Sequence, residues 1–91
     1  MVILTLTPEG RASFRKLTLS VREGYDAVFL QFIAAQRLTL PGDWNCHQLE
    51  GGRGLWTLKV GPYRGIFRWD GHEARFLRFG HVEKVYTRLP K

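Results

Sequence analysis

The sequence predicts an α+β fold in which two N-terminal helices pack on one face of a mainly antiparallel sheet, in the order β-α-α-β-β-β. A β-rich first segment is followed by a stretch with helical spacing of apolar residues. Three strand-like runs come next, separated by the turn sequences Gly61-Pro62 and Asp70-Gly71. The 91 residues suit one domain, residues 1–91, and a hydrophobic content of 44% is enough for one small core.

The first strand and the first helix are predicted from local signals. Residues 2–6 read VILTL, a composition typical of a strand. Thr7 then suits a helix N-cap and Pro8 the first helical position, and an acid follows in the first turn. We expect this helix to end near residues 17–19.

A second, longer helix is predicted by a capping box and an apolar stripe. The segment Ser20–Glu23 matches the capping box, so the helix should begin there. Its apolar residues recur at the spacing of a core-facing helix side: Tyr25, Val28, Phe29, Phe32 and Ile33. Residues 41–43 (PGD) should end the helical region, and residues 43–54 should form a loop.

The two turns predict which residues face each other across the strands. Asp-Gly between alternating apolar runs is a strong hairpin signal, because both residues tolerate φ > 0. Around Gly61-Pro62 the expected pairs are Val60–Tyr63, Lys59–Arg64, Leu58–Gly65, Thr57–Ile66 and Trp56–Phe67. Around Asp70-Gly71 they are Arg68–Glu73, Phe67–Ala74 and Arg64–Leu77.

Strand alternation then divides the side chains between two faces. The face expected against the helices carries Trp56, Leu58, Val60, Tyr63, Phe67, Trp69 and Phe76, with Gly65 leaving room for a large neighbour. The other face is expected to carry Lys59, Arg64, Arg68, Arg75, Leu77, Phe79 and His81. Because Leu77 and Phe79 on that face would expose apolar surface to water, we expect a segment of a partner protein or another element of the chain to cover them.

Lys59 opposite Arg64 is the unusual pair. Two like charges facing each other across strands cost a few tenths to about 1 kcal/mol. An anion bound between them would reverse the sign of that energy, whereas the alternative is two long side chains that spread into water. With His81 and Tyr86 expected nearby, we favour an anion site.

The net charge of +6 is concentrated in the second half of the chain. Residues 1–52 hold five Lys and Arg against five Asp and Glu, and residues 53–91 hold nine against three. A basic patch on one sheet is typical of proteins that bind a phosphate backbone. Charge alone does not distinguish RNA, DNA and an acidic protein partner.

Cysteine content and the N-terminal segment exclude some classes of protein. The single cysteine, Cys46, excludes an intramolecular disulfide framework, and nothing else supplies a tetrahedral thiolate site, so we expect no structural zinc. The apolar run of residues 1–6 lacks a basic flank and is too short for a signal peptide or a membrane span. A cytoplasmic location is therefore expected.

Several segments in order along the chain resemble the RelE/ParE toxin superfamily, and RelE more closely. They are FRKL (14–17), VRE (21–23), LEG (49–51), LWTLKVGPYRGIF (55–67) and FGHVEKVY (79–86). The resemblance implies a toxin that is silenced by a cognate antitoxin. RelE-like members cleave mRNA in the ribosomal A site without a metal or cofactor, whereas ParE-like members poison DNA gyrase. A catalytically weak relative that keeps only antitoxin binding is a third alternative.

The resemblance also implies roles for four residues. Lys59 and Arg64 match positions where RelE-type nucleases keep basic residues around the scissile phosphate. Tyr86 matches the C-terminal tyrosine associated with the reaction, and His81 matches a histidine that serves as acid or base in several relatives.

The sequence departs from the family pattern at Thr57, a position that is often basic, and at Val82, where an arginine often follows Gly-His.

RNA cleavage of this kind needs attack by a 2′-hydroxyl on the adjacent phosphate, with a proton acceptor, a proton donor and cations. Imidazole exchanges protons near neutrality, so His81 is the best acid–base candidate. The phenol of Tyr86 would assist only if the nearby cations favoured its ionised form. Further contacts to RNA or ribosome backbone are expected from Arg53, Arg75 and Arg78.

Overall fold

The computed structural model describes residues 3–35, 46–48 and 54–85. Its elements are β1 (Ile3–Leu6), α1 (Pro8–Arg15), α2 (Leu19–Ala35), β2 (Cys46–Gln48), β3 (Leu55–Val60), β4 (Tyr63–Trp69) and β5 (Glu73–His81). The strands form one sheet in the order β1-β5-β4-β3-β2. Only β1 and β5 among these pairs are parallel, so the predicted α+β fold with a mainly antiparallel sheet is confirmed.

Helix α1 begins where the sequence predicts. The hydroxyl of Thr7 accepts a hydrogen bond from the backbone N–H of Gly10 at 3.0 Å, as an N-cap does, and Pro8 occupies the first helical position. The helix ends at Arg15, before the predicted residues 17–19.

Helix α2 begins earlier than the predicted capping box at Ser20. Its first residue is Leu19, and the N–H of Arg22 donates to the carbonyl of Thr18 at 3.0 Å. Ser20 is therefore inside the first turn of the helix instead of at its cap.

The apolar stripe of α2 is confirmed at four of its five predicted positions. Tyr25 and Phe32 are fully buried, and Val28 and Phe29 pack against the same core with part of their surface exposed. Ile33 was predicted to face the core and instead remains 45% exposed.

The loop predicted for residues 43–54 contains a short strand. Cys46–Gln48 forms β2, which pairs antiparallel with β3 at the edge of the sheet. Three residues are too few for an alternation that the sequence could reveal. The thiol-bearing Cys46 is buried in the core.

The hairpin of β3 and β4 has the predicted register at all five predicted pairs, from Val60–Tyr63 to Trp56–Phe67. Gly61 in the connecting turn has φ = 59°, a left-handed conformation that a residue without Cβ adopts without strain. This register places Lys59 directly opposite Arg64.

The turn between β4 and β5 is longer than the predicted two residues. The carboxylate of Asp70 accepts hydrogen bonds from the backbone N–H groups of Glu73 at 2.7 Å and His72 at 2.8 Å. These two bonds, that from Glu73 first, lower the pKa of Asp70. The side chain of Asp70 thus builds the turn, an interaction typical of Asp in turns.

Because of this longer turn, the predicted pairs at the start of β5 are wrong. Arg68 faces Arg75 instead of Glu73, and Phe67 faces Phe76. The carboxylate of Glu73 accepts a hydrogen bond from the hydroxyl of Thr5 in β1, at 2.7 Å.

A bulge in β5 then changes the alternation. Phe67 pairs with Phe76, but the next residue of β4, Ile66, pairs with Arg78, which leaves Leu77 between two pairs. After the bulge Phe79 lies on the helix-facing side, opposite Gly65. The predicted position of Phe79 on the other face is therefore wrong.

The room that Gly65 was predicted to leave is present. A Cβ atom at this position would lie 2.9 Å from the ring of Phe79.

Beyond the end of β1, the N-cap and first turns of helix α1 form hydrogen bonds with the backbone of β5. The N–H of Thr7 donates to the carbonyl of Phe76 at 2.9 Å, and its hydroxyl donates to the carbonyl of Leu77 at 3.4 Å. The N–H of Phe79 donates to the hydroxyl of Ser13 at 2.9 Å. Backbone groups of β5 that no longer meet a strand are thus satisfied by the helix.

Within the described part of the chain, two apolar clusters lie on the two faces of the sheet. The larger one, between sheet and helices, contains Leu17, Tyr25, Phe32, Cys46, Leu58, Phe67, Ala74, Phe76 and Phe79. The smaller one, on the face away from the helices, contains Leu55, Ile66 and Val85, with Leu77 packed against them. The chain's own Val85 therefore contributes to the predicted cover of Leu77.

In the three described stretches of the chain, neither helix has both the length and the apolar character needed to cross a membrane.

Candidate functional site

The opposed pair of Lys59 and Arg64 lies on the sheet face away from the helices, which we call the open face. Their strand neighbours Leu58 and Gly65 face the helices, so alternation directs the two cationic side chains the other way. Both residues are half-buried. Two like charges held opposite each other and partly removed from water form a site that an anion would stabilise.

The guanidinium of Arg64 is fixed by the turn that precedes it. Its Nη1 donates to the carbonyl oxygens of Gly61 and Tyr63, both at 2.8 Å. Among the described residues, Nε and Nη2 have no such partner. A phosphate could therefore be bound by a guanidinium whose orientation is already set.

His81 is not on the open face, so its predicted position beside Lys59 and Arg64 is wrong. It pairs with Tyr63 across β4 and β5, and the two rings are in edge-to-face contact with centroids 5.7 Å apart. The bulge at Leu77 is the reason, because one extra residue exchanges the faces of all later side chains in β5. His81 nevertheless ends the strand, and 40% of its side chain is exposed.

The imidazole of His81 has a defined hydrogen bond on one side. Its Nδ1 accepts from the backbone N–H of Glu83 at 3.2 Å, with the carboxylate of Glu83 at 4.0 Å. A neutral ring in this arrangement carries its proton on Nε2, as assigned from the hydrogen bond. Nε2 of the neutral ring is thus a donor.

The Gly61-Pro62 turn brings the end of β5 close to the cationic pair. The N–H of Val82 donates to the carbonyl of Pro62 at 2.9 Å, directly after His81. Arg64 contacts the same turn through Gly61. Lys59 and Arg64 on one face and His81 on the other therefore border one end of the sheet.

Of the three arginines predicted to contact RNA, two are described. Arg75 is exposed on β5. Arg78 is 23% exposed and is engaged within the protein: Nε donates to the carboxylate of Glu9 at 2.9 Å and Nη1 to the carbonyl of Val85 at 3.2 Å. Sequence reasoning missed this cluster, because Glu9 and Arg78 are 69 positions apart and no local pattern links them.

Arg53 and Tyr86 lie outside the described residues, so their places in the site stay predictions. Of the two departures from the family pattern, Thr57 is fully buried and Val82 is half-buried.

A groove lies at the end of the β4–β5 hairpin that is away from Lys59 and Arg64. It has a volume of about 350 Å³ and is lined by Gly54, Arg68, Trp69, Asp70, Glu73 and Arg75. Two cations and two carboxylates balance there, so an anion gains less than at Lys59 and Arg64.

No protein-family model matches the sequence, and no curated protein matches it. Solved structures do match. A chain of the RelB–RelE antitoxin–toxin complex from Methanococcus jannaschii is similar with a TM-score of 0.80 at 15% identity, over 94% of this chain and 99% of that one. The isolated E. coli RelE toxin has a TM-score of 0.68 at 18% identity, over 94% of this chain and 89% of that one.

A chain of the E. coli DinJ–YafQ complex is similar with a TM-score of 0.67 at 13% identity, over 94% of this chain and 99% of that one. At such identities the likeness concerns the fold, and it extends over nearly the whole chain in each case. By its fold, this chain is RelE-like.

Proposed function

We propose that this protein is the toxin of a toxin–antitoxin pair and that it cleaves mRNA on the ribosome without a metal. The observation that carries the proposal is the opposed pair Lys59–Arg64 on the open face of a RelE-like fold. Cleavage through a 2′-hydroxyl places extra negative charge on the phosphate, and two preorganised cations stabilise that charge.

Arg64 is proposed to bind the scissile phosphate, since its guanidinium is oriented by two carbonyl groups and presents further N–H donors. Lys59, directly opposite, adds a second positive charge. Together they stabilise the phosphate while the 2′-oxygen forms a bond to phosphorus and the bond to the 5′-oxygen breaks.

The proton transfers are proposed for His81 and Tyr86. The Nε2–H of His81, whose side chain is 40% exposed, suits a donor, either to a phosphate oxygen or towards the leaving 5′-oxygen. Tyr86, which lies outside the described residues, is proposed to accept the proton of the 2′-hydroxyl, a role that requires a cation close enough to favour the phenolate. Arg53 and Arg75 are proposed to contact RNA or ribosome backbone, for affinity.

An antitoxin is the proposed protein partner. Two of the similar structures are protein complexes, the RelB–RelE antitoxin–toxin complex and the DinJ–YafQ complex. The ribosome as target implies that the protein acts in the cytoplasm.

The test is transcript cleavage in a translating extract with active ribosomes. The wild type should cut mRNA within codons, and Lys59→Ala/Arg64→Ala should reduce the rate by about 100-fold or more, because both cations around the phosphate are removed. Primer extension on a defined transcript maps the cut sites and gives the rate.

The matched control is Arg11→Ala/Arg15→Ala, which removes the same charge from the exposed surface of α1. It should cleave at the wild-type rate. Absence of cleavage by the wild type, or equal loss in the two double variants, would reject the proposal. Inhibition of gyrase supercoiling by the wild type in the absence of cleavage would instead indicate the ParE-like function.

A further inference from the structure

Arg78 connects three parts of the molecule that are distant in sequence. It lies on β5, its Nε donates to Glu9 in the first turn of α1, and its Nη1 donates to the carbonyl of Val85. Val85 ends the turn that follows β5, and its own N–H and that of Lys84 both donate to the carbonyl of His81 at 2.9 Å. Arg78 thus fastens a turn whose first residue is His81.

The carbonyl that Arg78 binds is that of Val85, at the end of the turn that begins at His81. We propose that Arg78 is a positioning residue: anchored on Glu9, its guanidinium fixes the 81–85 turn and with it His81, the proton donor of the proposed reaction. The effect on proton transfer rests on the proposed function, whereas the anchoring of the turn rests on the hydrogen bonds of Arg78 alone.

The arrangement does not suit a direct RNA contact by Arg78, the role that the sequence predicted. A guanidinium already paired with a carboxylate offers less net charge to a phosphate. Arg75, two pairs away on the same strand and exposed, is better placed for that role. An exposed ion pair adds little to global stability, and Glu9 is 61% exposed, so removing the pair should act locally.

Two readouts test the inference on Arg78→Ala, Arg78→Lys and Glu9→Ala. The first is amide hydrogen exchange of Lys84 and Val85, which should accelerate by about tenfold in Arg78→Ala, because the turn loses its anchor. The second is the cleavage assay, in which kcat should fall by about tenfold or more with KM little changed, because misplaced groups slow the chemical step.

The other two variants test the geometry of the anchor. Lysine keeps the charge but cannot donate in two directions from a planar group, so Arg78→Lys should restore only part of kcat. Glu9→Ala should change both readouts in the same direction as Arg78→Ala and by less. Exchange of amides in the β3–β4 hairpin reports whether each variant remains folded.

Arg75→Ala is the matched control, since it removes an arginine from the same strand. It should leave exchange at Lys84 and Val85 unchanged and affect KM alone. An Arg78→Ala variant with raised KM, normal kcat and normal exchange would overturn the inference in favour of an RNA contact. If the wild type does not cleave, the proposed function fails, and unchanged exchange in Arg78→Ala would separately refute the anchoring role.

Discussion

At the scale of single residues, the missing side chain of Gly65 decides how two buried phenylalanine rings, Phe76 and Phe79, pack. Phe79 lies over this glycine, and Phe76 lies 3.2 Å from the position that a Cβ would take. The rings of Phe76 and Phe79 stack at 5.2 Å, and Phe79 also meets Phe14 and Tyr25 edge-to-face at 5.0 Å. The aromatic core therefore has no room for even one methyl group at this strand position.

Gly65→Ala should consequently destabilise the protein. A Cβ 2.9 Å from the Phe79 ring forces the ring to move, and overpacking of this kind costs about 1–3 kcal/mol. Urea unfolding followed by tryptophan fluorescence measures the change in the free energy of unfolding. Gly80→Ala is the control: its Cβ would meet Val85 at 3.5 Å, an ordinary contact, so a loss as large as that of Gly65→Ala would contradict the explanation.

At the scale of the element, helix α1 forms hydrogen bonds with the sheet as well as packing on the core. Gly10 allows its close approach, because a Cβ there would overlap the carbonyl oxygen of Phe76. The hydroxyl of Ser13 donates to the carbonyl of Gly10 at 3.0 Å and accepts from the N–H of Phe79. Helix α1 thus continues along β5 the hydrogen bonding that β1 makes with the earlier part of that strand.

Ser13→Ala should leave the N–H of Phe79 without its acceptor. The cost is about 1–3 kcal/mol when a buried donor is left unsatisfied, and this site is partly buried, so the lower end is expected. Urea unfolding gives the stability, and hydrogen exchange at Phe79 should accelerate locally. Ser20 is an exposed serine in α2, and Ser20→Ala should change neither quantity. An equal effect of Ser20→Ala would show that the loss of any serine hydroxyl has this cost, whether or not it binds the N–H of Phe79.

The elements also show how far sequence reasoning reached. The register of β3 and β4 was predictable because a two-residue turn and regular alternation leave one pairing. The β4–β5 register was not, because Asp70 builds a longer turn with its side chain, and a bulge follows. One signal in the sequence was available: Phe76 and Phe79 are both large and apolar but lie three residues apart, so regular alternation cannot place both on the helix-facing side.

For the candidate site, sequence reasoning therefore predicted the pairing of the two cationic residues but not the positions of the other site residues. Lys59 faces Arg64 as predicted, whereas the bulge moves His81 to the other face and long-range contacts engage Arg78. Contacts between α1 and β5 depend on three-dimensional packing, so no local pattern could have revealed the Glu9–Arg78 pair.

At the scale of the whole molecule, charge is distributed unevenly. The excess of +6 arises in residues 53–91, and five of the nine Lys and Arg residues there lie on β3, β4 and β5, the middle strands of the sheet. Each phosphate contact made with single-stranded RNA contributes about −0.7 to the slope of log K against log salt. The number of contacts is therefore measurable without a structure of the complex.

We expect binding of a short single-stranded RNA to weaken as salt rises, and the slope to become shallower by about 0.7 for each phosphate contact removed in Lys59→Ala/Arg64→Ala. Fluorescence anisotropy of a labelled oligonucleotide across a KCl series measures it. The Arg11→Ala/Arg15→Ala variant has the same net charge and should keep the wild-type slope. Equal slopes for both double variants would mean that overall charge, and not the opposed pair, determines binding.

The coverage of β5 by α1 has one more consequence. Exposed strand edges are templates on which other chains can pair, and natural sheets protect them against aggregation. With Thr7 and Ser13 occupying the carbonyl and N–H groups beyond the end of β1, that stretch of β5 is closed to a foreign strand. A helix only eight residues long thereby protects an aromatic-rich strand from self-association at high protein concentration.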